Sequence, residues 1–332
     1  MCYFCTQNGG FSELIKGIVA LYTPDSRYAG AFLDYNLRKE REKVTVKIFT
    51  NDESLWGAAN KESFDLLLID GMCMDEKMEE LPGKKAILSR KKFIAKQEYP
   101  AVFMYQKAML VFKQIYEILA EETVEERFCC AAVSAMPRIY GVFSPCYPVL
   151  RERFARCLAE YLGEHKKVLY LNMAKFAEGD SGDEKGLSEL MYFIQQEDKS
   201  MVYKLSSMVV EEDGYDSLPG VRHYKDISDI SEEDIIKLMR QFELVDEYDA
   251  VVIDNGLENE TAYCLLDYCN EIWMPVDENV GYARYIHMKN DVKKERANDL
   301  WEHIKEINKP ITWYERKDMT DIWMKEHVDI SS

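Results

Sequence analysis

Two aspartates stand at the ends of strongly apolar segments, and they are the first candidates for chemistry in this sequence. Asp70 closes the run FDLLLID, and Asp254 closes the run AVVID. The functional groups of parallel sheets gather at the carboxyl ends of the strands. An acid at such a position either contributes to a functional site or is a structural acid that accepts hydrogen bonds from the next turn. The sequence leaves both interpretations open for each residue.

Metal binding by cysteine and histidine is not indicated. The chain has nine cysteines and five histidines. Cys2 and Cys5 have C-x-x-C spacing, but no second pair accompanies them, and a structural zinc site needs about four ligands. The histidines are scattered and form no H-E-x-x-H motif. We therefore predict reduced, mostly buried thiols and no metal site.

The elements that position Asp70 are short apolar runs separated by segments of helical periodicity. Strand-like runs occupy 17–23, 44–50, 64–70, 83–88 and 101–105, and helix-like segments occupy 28–39, 51–60 and 108–121. Strands that alternate with helices, with few hairpin signals, predict a parallel, doubly wound sheet.

A second α/β unit with the same kind of sheet is predicted around Asp254. Its strand-like runs are 138–144, 167–173, 250–254 and 271–276, and its helix-like segments are 149–163, 187–196, 231–242 and 261–269. The charged stretch EETVEER separates the two units. The predicted organisation is a leader over 1–15, a first domain over 16–122, a linker over 123–136 and a second domain over 137–332.

The charge balance disfavours nucleic-acid and membrane binding. The chain has 42 Lys and Arg against 60 Asp and Glu, a formal net charge of −18, and a field of that sign repels phosphate backbones and anionic lipid. The basic residues between Arg284 and Lys317 alternate with acids at helical spacing, which predicts ion pairs along an exposed helix. No apolar run reaches the ~18 residues of a membrane span, and residues 1–10 lack the features of a signal peptide. We predict a cytoplasmic protein that neither binds nucleic acid nor inserts stably into a membrane.

The first domain resembles a response-regulator receiver domain over about 16–122, through its order of elements and the run FDLLLIDG. The resemblance implies that Asp70 is the phosphoryl-accepting acid, that Ser89 is the hydroxyl after the fourth strand, and that Lys107 is the lysine after the fifth. Receivers hold Mg²⁺ with an acidic pair after the first strand, but this chain has YTP there, with Asp25 beyond the proline. We therefore predict a pseudo-receiver used for docking. Phosphotransfer at Asp70 is the alternative.

The second domain resembles the MinD/ParA-like P-loop ATPases, through the order of its elements and the phrases KVLYLN, YDAVVIDNG and EIWMPVD. The resemblance implies that Asp254 is the Walker B acid. A receiver-like domain followed by such an ATPase is the layout of the CpaE/TadZ family, the localisation factors of the Tad pilus machinery. The resemblance to that layout covers most of residues 16–295.

The phosphate-binding loop departs from the family pattern S-P-K-G-G-V-G-K-T, because this chain has SPCYPVLRE, from Ser144 to Glu152. The three glycine positions hold Tyr147, Pro148 and Leu150, the two lysine positions hold Cys146 and Arg151, and the Mg²⁺-binding hydroxyl position holds Glu152. Glycines let backbone N–H groups approach phosphates, and proline has no N–H to offer. Glu152 places an anion at the start of a helix, where a phosphate would sit. We predict a degenerate loop.

These features predict a non-catalytic scaffold or localisation factor that resembles CpaE/TadZ proteins. It would form a homodimer, dock protein partners such as pilus or secretion components, need no cofactor, and be recruited to a membrane-associated or polar assembly. The alternative is a nucleotide-dependent ATPase switch of the MinD/ParA type, in which Arg151 contacts the phosphates of ATP and Asp254 holds Mg²⁺.

Overall fold

A computed structural model describes most of the chain. The described residues are 17–40, 43–91, 99–120, 136–144, 148–175, 185–196, 201–244, 247–257, 260–279, 281–295, 299–328 and 330. They form two compact units, one from the described residues within 1–133 and 202–207, the other from those within 134–201 and 208–332. No helix in these ranges is long and apolar enough to cross a bilayer. The predicted leader lies outside the described residues, as does the predicted linker up to residue 135.

The first unit contains a five-stranded sheet in which every pairing is parallel. Its strands are β1 (Gly17–Tyr22), β2 (Val44–Phe49), β3 (Leu66–Asp70), β4 (Lys85–Ser89) and β5 (Ala101–Phe103), and its helices are α1 (Ser26–Tyr35), which a π-helical turn (Asn36–Glu40) extends, α2 (Asp52–Ala59), α3 (Glu76–Glu79) and α4 (Ala108–Ala120). The strand order is β2-β1-β3-β4-β5. The order reverses between β1 and β3, so their carboxyl ends border the crevice where such sheets place functional groups.

Helices cover both faces of this sheet, which explains why β3 is fully buried and is apolar up to its last residue, Asp70. Phe32 of α1 and Phe112 of α4 stack on one face, with ring centroids 4.7 Å apart. Leu55 of α2 and Met78 of α3 are buried on the other face.

The second unit contains a seven-stranded sheet. Its strands are β6 (Arg138–Val142), β7 (Val168–Asn172), β8 (Val210–Glu211), β9 (Asp216–Leu218), β10 (Ala250–Asp254), β11 (Glu271–Val276) and β12 (Ile304–Asn308). The order is β12-β11-β6-β10-β7-β9-β8, and every pairing among these strands is parallel except the one between β8 and β9. Both doubly wound, mainly parallel sheets predicted from the sequence are confirmed.

The described residues from 148 onwards also form helices. They are α5 (Pro148–Gly163), α6 (Leu187–Gln195), α7 (Met201–Met208), α8 (Tyr224–Ser228), α9 (Glu232–Leu244), α10 (Glu260–Leu266), α11 (Tyr282–Glu295), α12 (Asp299–Glu302), α13 (Ile311–Tyr314) and α14 (Lys317–His327). Residues 202–207 of α7 belong to the first compact unit. Phe154 of α5 lies in the core of the second unit with Trp313 and Met324 from the last two helices, so the aromatic carboxyl-terminal segment packs on the sheet layer.

The stretch from 284 to 317 is not the single exposed helix that its charge pattern predicted. It contains the edge strand β12, in which Ile307 is buried and the flanking residues are exposed. The basic residues pair across elements instead: Lys289 of α11 lies 2.6 Å from Glu306 of β12, and Lys305 lies 2.8 Å from Glu271 of β11. The alternating charges therefore reflect a solvated strand edge as well as a helix.

Candidate functional site

The main candidate site lies at the carboxyl edge of the second sheet, between β6 and β10. These strands are neighbours, and Asp254 is in register with Val142 at their ends. From β6 the chain continues through α5 to β7, which lies on the β10 side of β6. From β10 it continues to β11, which lies on the opposite side of β6. The connections therefore diverge here and leave a crevice, the usual ligand position in a doubly wound sheet.

A buried ion pair occupies this edge. Arg151, in the first turns of α5, donates a hydrogen bond from Nε to Oδ1 of Asp254. Arg151 is 7% exposed and Asp254 is 0% exposed. The hydroxyl of Tyr170, from β7, donates to Oδ2 of the same carboxylate at 3.4 Å. Burial raises the pKa of Asp254 to about 6, and the charge and hydrogen bond of Arg151 act in the opposite direction.

Glu152 is also buried, and its charge is balanced within its own helix. Oε1 of Glu152 accepts hydrogen bonds from Nε and Nη2 of Arg156, one turn later, at 3.3 and 3.2 Å. The same guanidinium lies over the ring of Tyr170 at 5.1 Å and donates to Glu212 at 3.3 Å. Glu152 is thus part of a structural network and does not project as a lone anion.

The other described residues of the predicted loop have structural contacts. Ser144 donates its hydroxyl hydrogen to the carbonyl oxygen of Pro275 at 2.7 Å. Pro148 is the first residue of α5, and Leu150 is fully buried in the core. Cys146 and Tyr147 lie outside the described residues.

Gly256 allows the chain to pass close over the ion pair. A Cβ atom at this position would lie 2.8 Å from Nη2 of Arg151 and 2.7 Å from Cα of Ala174. On the neighbouring strand, Asn172 accepts a hydrogen bond from the backbone N–H of Ala174 at 2.9 Å. Gly256, after β10, and Ala174, after β7, therefore lie close together, and Arg151 lies beside Gly256.

Asp70 forms a second buried constellation in the first unit. Its Oδ2 accepts hydrogen bonds from Thr23 Oγ1 at 2.9 Å and Arg90 Nη2 at 3.1 Å, and its Oδ1 accepts the Met72 N–H at 3.1 Å. Burial of Asp70 raises its pKa, but the hydrogen bonds from Met72, Arg90 and Thr23 together hold the pKa of the carboxyl below its usual value.

Tyr28 has a buried hydroxyl without a hydrogen-bond partner in the described part of the chain. Burial raises the pKa of Tyr28, and the charge of Asp70 raises it further.

The cation that pairs with Asp70 is Arg90, a residue that no motif in the sequence indicates. Lys107 is exposed and precedes α4, where its carbonyl accepts the Leu110 N–H at 2.9 Å. The signal that could have identified Arg90 is its place directly after Ser89 at the carboxyl end of β4, because β4 lies beside β3 in a 2-1-3-4-5 sheet.

Ser89 and Asp25 are engaged locally. Ser89 donates its hydroxyl to the Lys91 carbonyl at 2.9 Å and accepts the Lys91 N–H at 3.0 Å. Asp25 caps α1 by accepting the N–H groups of Arg27 and Tyr28 at 3.1 and 3.0 Å. Among the residues whose structure is described, no group of three or more histidines, cysteines or acids is placed to hold a metal ion.

Solved structures that are similar to part of this chain include proteins of the ParA type. A ParA family ATPase from Chlorobium tepidum is 17% identical, with 58% of this chain and 81% of that chain covered and a TM-score of 0.43. A plasmid partition protein from Borrelia burgdorferi is 15% identical, with 58% and 100% covered and a TM-score of 0.42. Cobyrinic acid a,c-diamide synthase from Mycobacterium smegmatis, solved with ADP and magnesium, is 15% identical, with 58% and 83% covered and a TM-score of 0.39. No protein-family model and no curated protein matches the chain.

Proposed function

We propose that this chain is a non-catalytic scaffold or localisation factor of the CpaE/TadZ type, in which a pseudo-receiver is followed by a degenerate MinD/ParA-like domain. The observation that carries the proposal is the buried ion pair between Arg151 and Asp254. In a working P-loop site, the loop cation contacts phosphate and the strand-end acid helps to hold Mg²⁺. Here the two groups that would perform these tasks satisfy each other.

The energetics of the pair support a site closed to Mg-ATP. Both charges are out of water and already paired, so Mg-ATP would have to break this contact before phosphate could pair with Arg151 and Mg²⁺ with Asp254. Pro148 contributes no N–H at the start of α5. Glu152 is held beside this end of the helix by Arg156. The residues present therefore fit a self-contained polar core better than they fit a magnesium nucleotide.

The Asp70 constellation supports the pseudo-receiver part of the proposal. Arg90 and Thr23 already hydrogen-bond to the oxygen that would attack a phosphoryl donor or bind a cation. The displaced acid Asp25 caps a helix. A hard dication needs several oxygen ligands, and these contacts engage the two acids in structural roles.

Under this proposal, the chain acts through protein contacts. It forms a homodimer without nucleotide, and it docks components of a pilus or secretion assembly from the cytoplasm. The test of self-association is the mass by light scattering with and without Mg-ATP, which we expect to be the same. A mass that changes when Mg-ATP is added would count against the proposal.

Calorimetric titration with Mg-ATP tests the closed site directly. We expect no saturable binding by the wild-type chain or by the matched charge variant Arg240→Gln, whose side chain lies on α9. The alternative ATPase switch predicts Mg²⁺-dependent binding that disappears in Asp254→Asn. That result would replace the scaffold by a nucleotide switch.

Labelling with acetyl phosphate tests the first unit. We expect no label that depends on Asp70, because its carboxylate is engaged by Arg90, Thr23 and the Met72 amide. Incorporation of phosphate that Asp70→Asn abolishes and Ser89→Ala leaves intact would show that the receiver is active.

A further inference from the structure

A cavity of about 510 Å³ opens beside the ion pair in the second unit. Its lining residues come from the segments after β6, β7 and β10 and from helices α5, α10 and α11. Cavities of about 300–1,000 Å³ that are mostly apolar and carry a few placed polar groups are the usual binding sites for small molecules. Ser144, Pro148 and Arg151 of the phosphate loop also line it, and the proposed scaffold role assigns nothing to this space.

One wall of the cavity is apolar and aromatic. Phe143, which follows β6, and Tyr263 of α10 meet edge to face with ring centroids 6.1 Å apart. Met288 of α11 packs against the same apolar cluster as these two rings. All three side chains are only partly buried, so they present apolar surface to the cavity.

The charged side chains of the described lining are all cationic. They are Arg151, Lys175 and Arg284, and no aspartate or glutamate lines the cavity in this part of the chain. This composition is the reverse of the chain as a whole, which has 60 acids against 42 lysines and arginines. Asp254 balances the charge of Arg151. Arg284 forms no ion pair with any residue that the structure describes.

We propose that this cavity binds a small organic anion with an apolar or aromatic body. The anionic group would lie on Arg284, and the body would pack against Phe143, Tyr263 and Met288. A guanidinium forms strong, directional hydrogen bonds with carboxylate, sulfonate or phosphate oxygens. The proposal requires no metal, no phosphate-loop amide and no opening of the Arg151–Asp254 pair.

A pair of fluorescent probes that differ in one charged group tests the proposal. Anilinonaphthalene sulfonate is an aromatic anion, and N-phenylnaphthylamine is the same ring system without the sulfonate. We expect the sulfonate to bind the full chain saturably at one site per chain, and about tenfold more tightly than the neutral compound. Arg284→Gln should remove that tenfold preference and leave binding of the neutral probe within about twofold of wild type. Arg240→Gln, a cation on α9 outside the cavity, should change neither.

A cavity-filling variant separates this site from general surface binding. Met288→Trp should weaken both probes by tenfold or more if they occupy the cavity, while thermal unfolding shows that the variant is folded. If the sulfonate binds at many sites, or if Arg284→Gln leaves its affinity unchanged, the anion site is refuted. The probe assay contains no nucleotide and no magnesium, so a negative result would leave the proposal of a closed phosphate loop unaffected. In the same way, the titration with Mg-ATP does not test the anion site.

Discussion

Arg151 and Asp254 lie 103 positions apart in the sequence and form a hydrogen-bonded ion pair that is almost entirely buried. The pair joins the first turns of α5 to the carboxyl end of β10. It therefore links two elements of the second unit at the point where its strand connections diverge. Because the pair connects two elements of the core, its loss should lower the free energy of unfolding of the second unit.

Removing one partner of this pair should destabilise the second unit strongly. Asp254→Ala or Arg151→Met leaves the other charge buried and alone, and we expect the free energy of unfolding to fall by about 3–5 kcal/mol in each case. The double variant Arg151→Met/Asp254→Leu should recover most of that loss, because apolar groups of similar volume need no partner. Urea unfolding followed by circular dichroism measures all three.

The exposed pair of Arg316 and Asp318 is the matched control for this prediction. Its two side chains are 60% and 64% exposed and lie 2.7 Å apart. Arg316→Ala should cause only a small loss in the free energy of unfolding, since solvent screens exposed pairs. Single losses of that size at Arg151 and Asp254, or a double variant as unstable as the two singles combined, would contradict the assigned role of the buried pair.

The stability of the first unit should depend on acid pH through Asp70. The native pKa of Asp70 lies below its ordinary value of 3.8, so below that pH the unfolded chain binds the proton more readily than the native chain does. The contribution is fully present above about pH 4 and is lost as the pH falls through the native pKa. Asp70→Asn should therefore show a shallower loss of stability than wild type between about pH 4 and 2.

Arg90→Gln provides the second arm of the pH experiment. It keeps the carboxyl group of Asp70 but removes a guanidinium that lowers its pKa. The acid-dependent loss of stability should then be smaller than in wild type, because the native pKa of Asp70 moves towards its unfolded value. Urea midpoints measured from pH 2 to 6 report this difference. Parallel pH profiles for wild type, Asp70→Asn and Arg90→Gln would show that Asp70 has no such linkage.

The architecture was predictable because its determinants are local. FDLLLID, KVLYLN and AVVID are apolar on both faces, which is typical of buried parallel strands, and each is a strand in the structure. The carboxyl ends of those strands then placed Asp70 and Asp254 at the two crevices. The edge strand β12 was missed because three of its five residues are exposed, so its composition does not differ from that of a solvated helix.

The contacts within the sites were less predictable, because they depend on which distant side chains meet. The alternative ATPase switch would have Arg151 contact a phosphate, but Nε of Arg151 donates to the carboxylate of Asp254 on another element. Arg90 has no motif of its own, and it reaches Asp70 because β3 and β4 are neighbours. Periodicity identifies strands and their ends, whereas ion pairs across a sheet require the strand order as well.

Gly256 should not tolerate a side chain. The Cβ of Gly256→Ala would lie 2.7 Å from backbone atom Cα of Ala174, and backbone cannot move aside cheaply. We expect the free energy of unfolding to fall by about 1–3 kcal/mol. The control is Gly30→Ala in α1, where no atom lies within 4 Å of the added Cβ. That change should raise stability by about 0.5–1 kcal/mol, because alanine is the better helix former. Equal effects of the two variants in urea unfolding would rule out the close approach at Gly256.

Tyr203 of α7 should be a main stabilising contact of the first strand. Its hydroxyl oxygen accepts the Gly17 N–H at 3.1 Å, and its ring stacks on Tyr116 with centroids 6.1 Å apart. Tyr203→Phe keeps the ring but leaves the buried N–H without its acceptor, which should cost about 1–3 kcal/mol. Tyr203→Ala also leaves a cavity in the core and should cost about 3–5 kcal/mol. Hydrogen exchange at the amides of β1 gives a local measure of both losses.

A double-mutant cycle between these two residues tests whether the contact is direct. The Cβ of Gly17→Ala would lie 2.5 Å from the Tyr203 hydroxyl oxygen, so this variant clashes with the group that its own N–H needs. In the Tyr203→Phe background that oxygen is absent, and the same Gly17→Ala change should cost less by about 1 kcal/mol or more. Residues in contact deviate from additivity by about 0.5–3 kcal/mol, whereas independent sites add. Additive losses within about 0.3 kcal/mol would mean that α7 stabilises the first unit through its ring alone and not through a hydrogen bond to the start of β1.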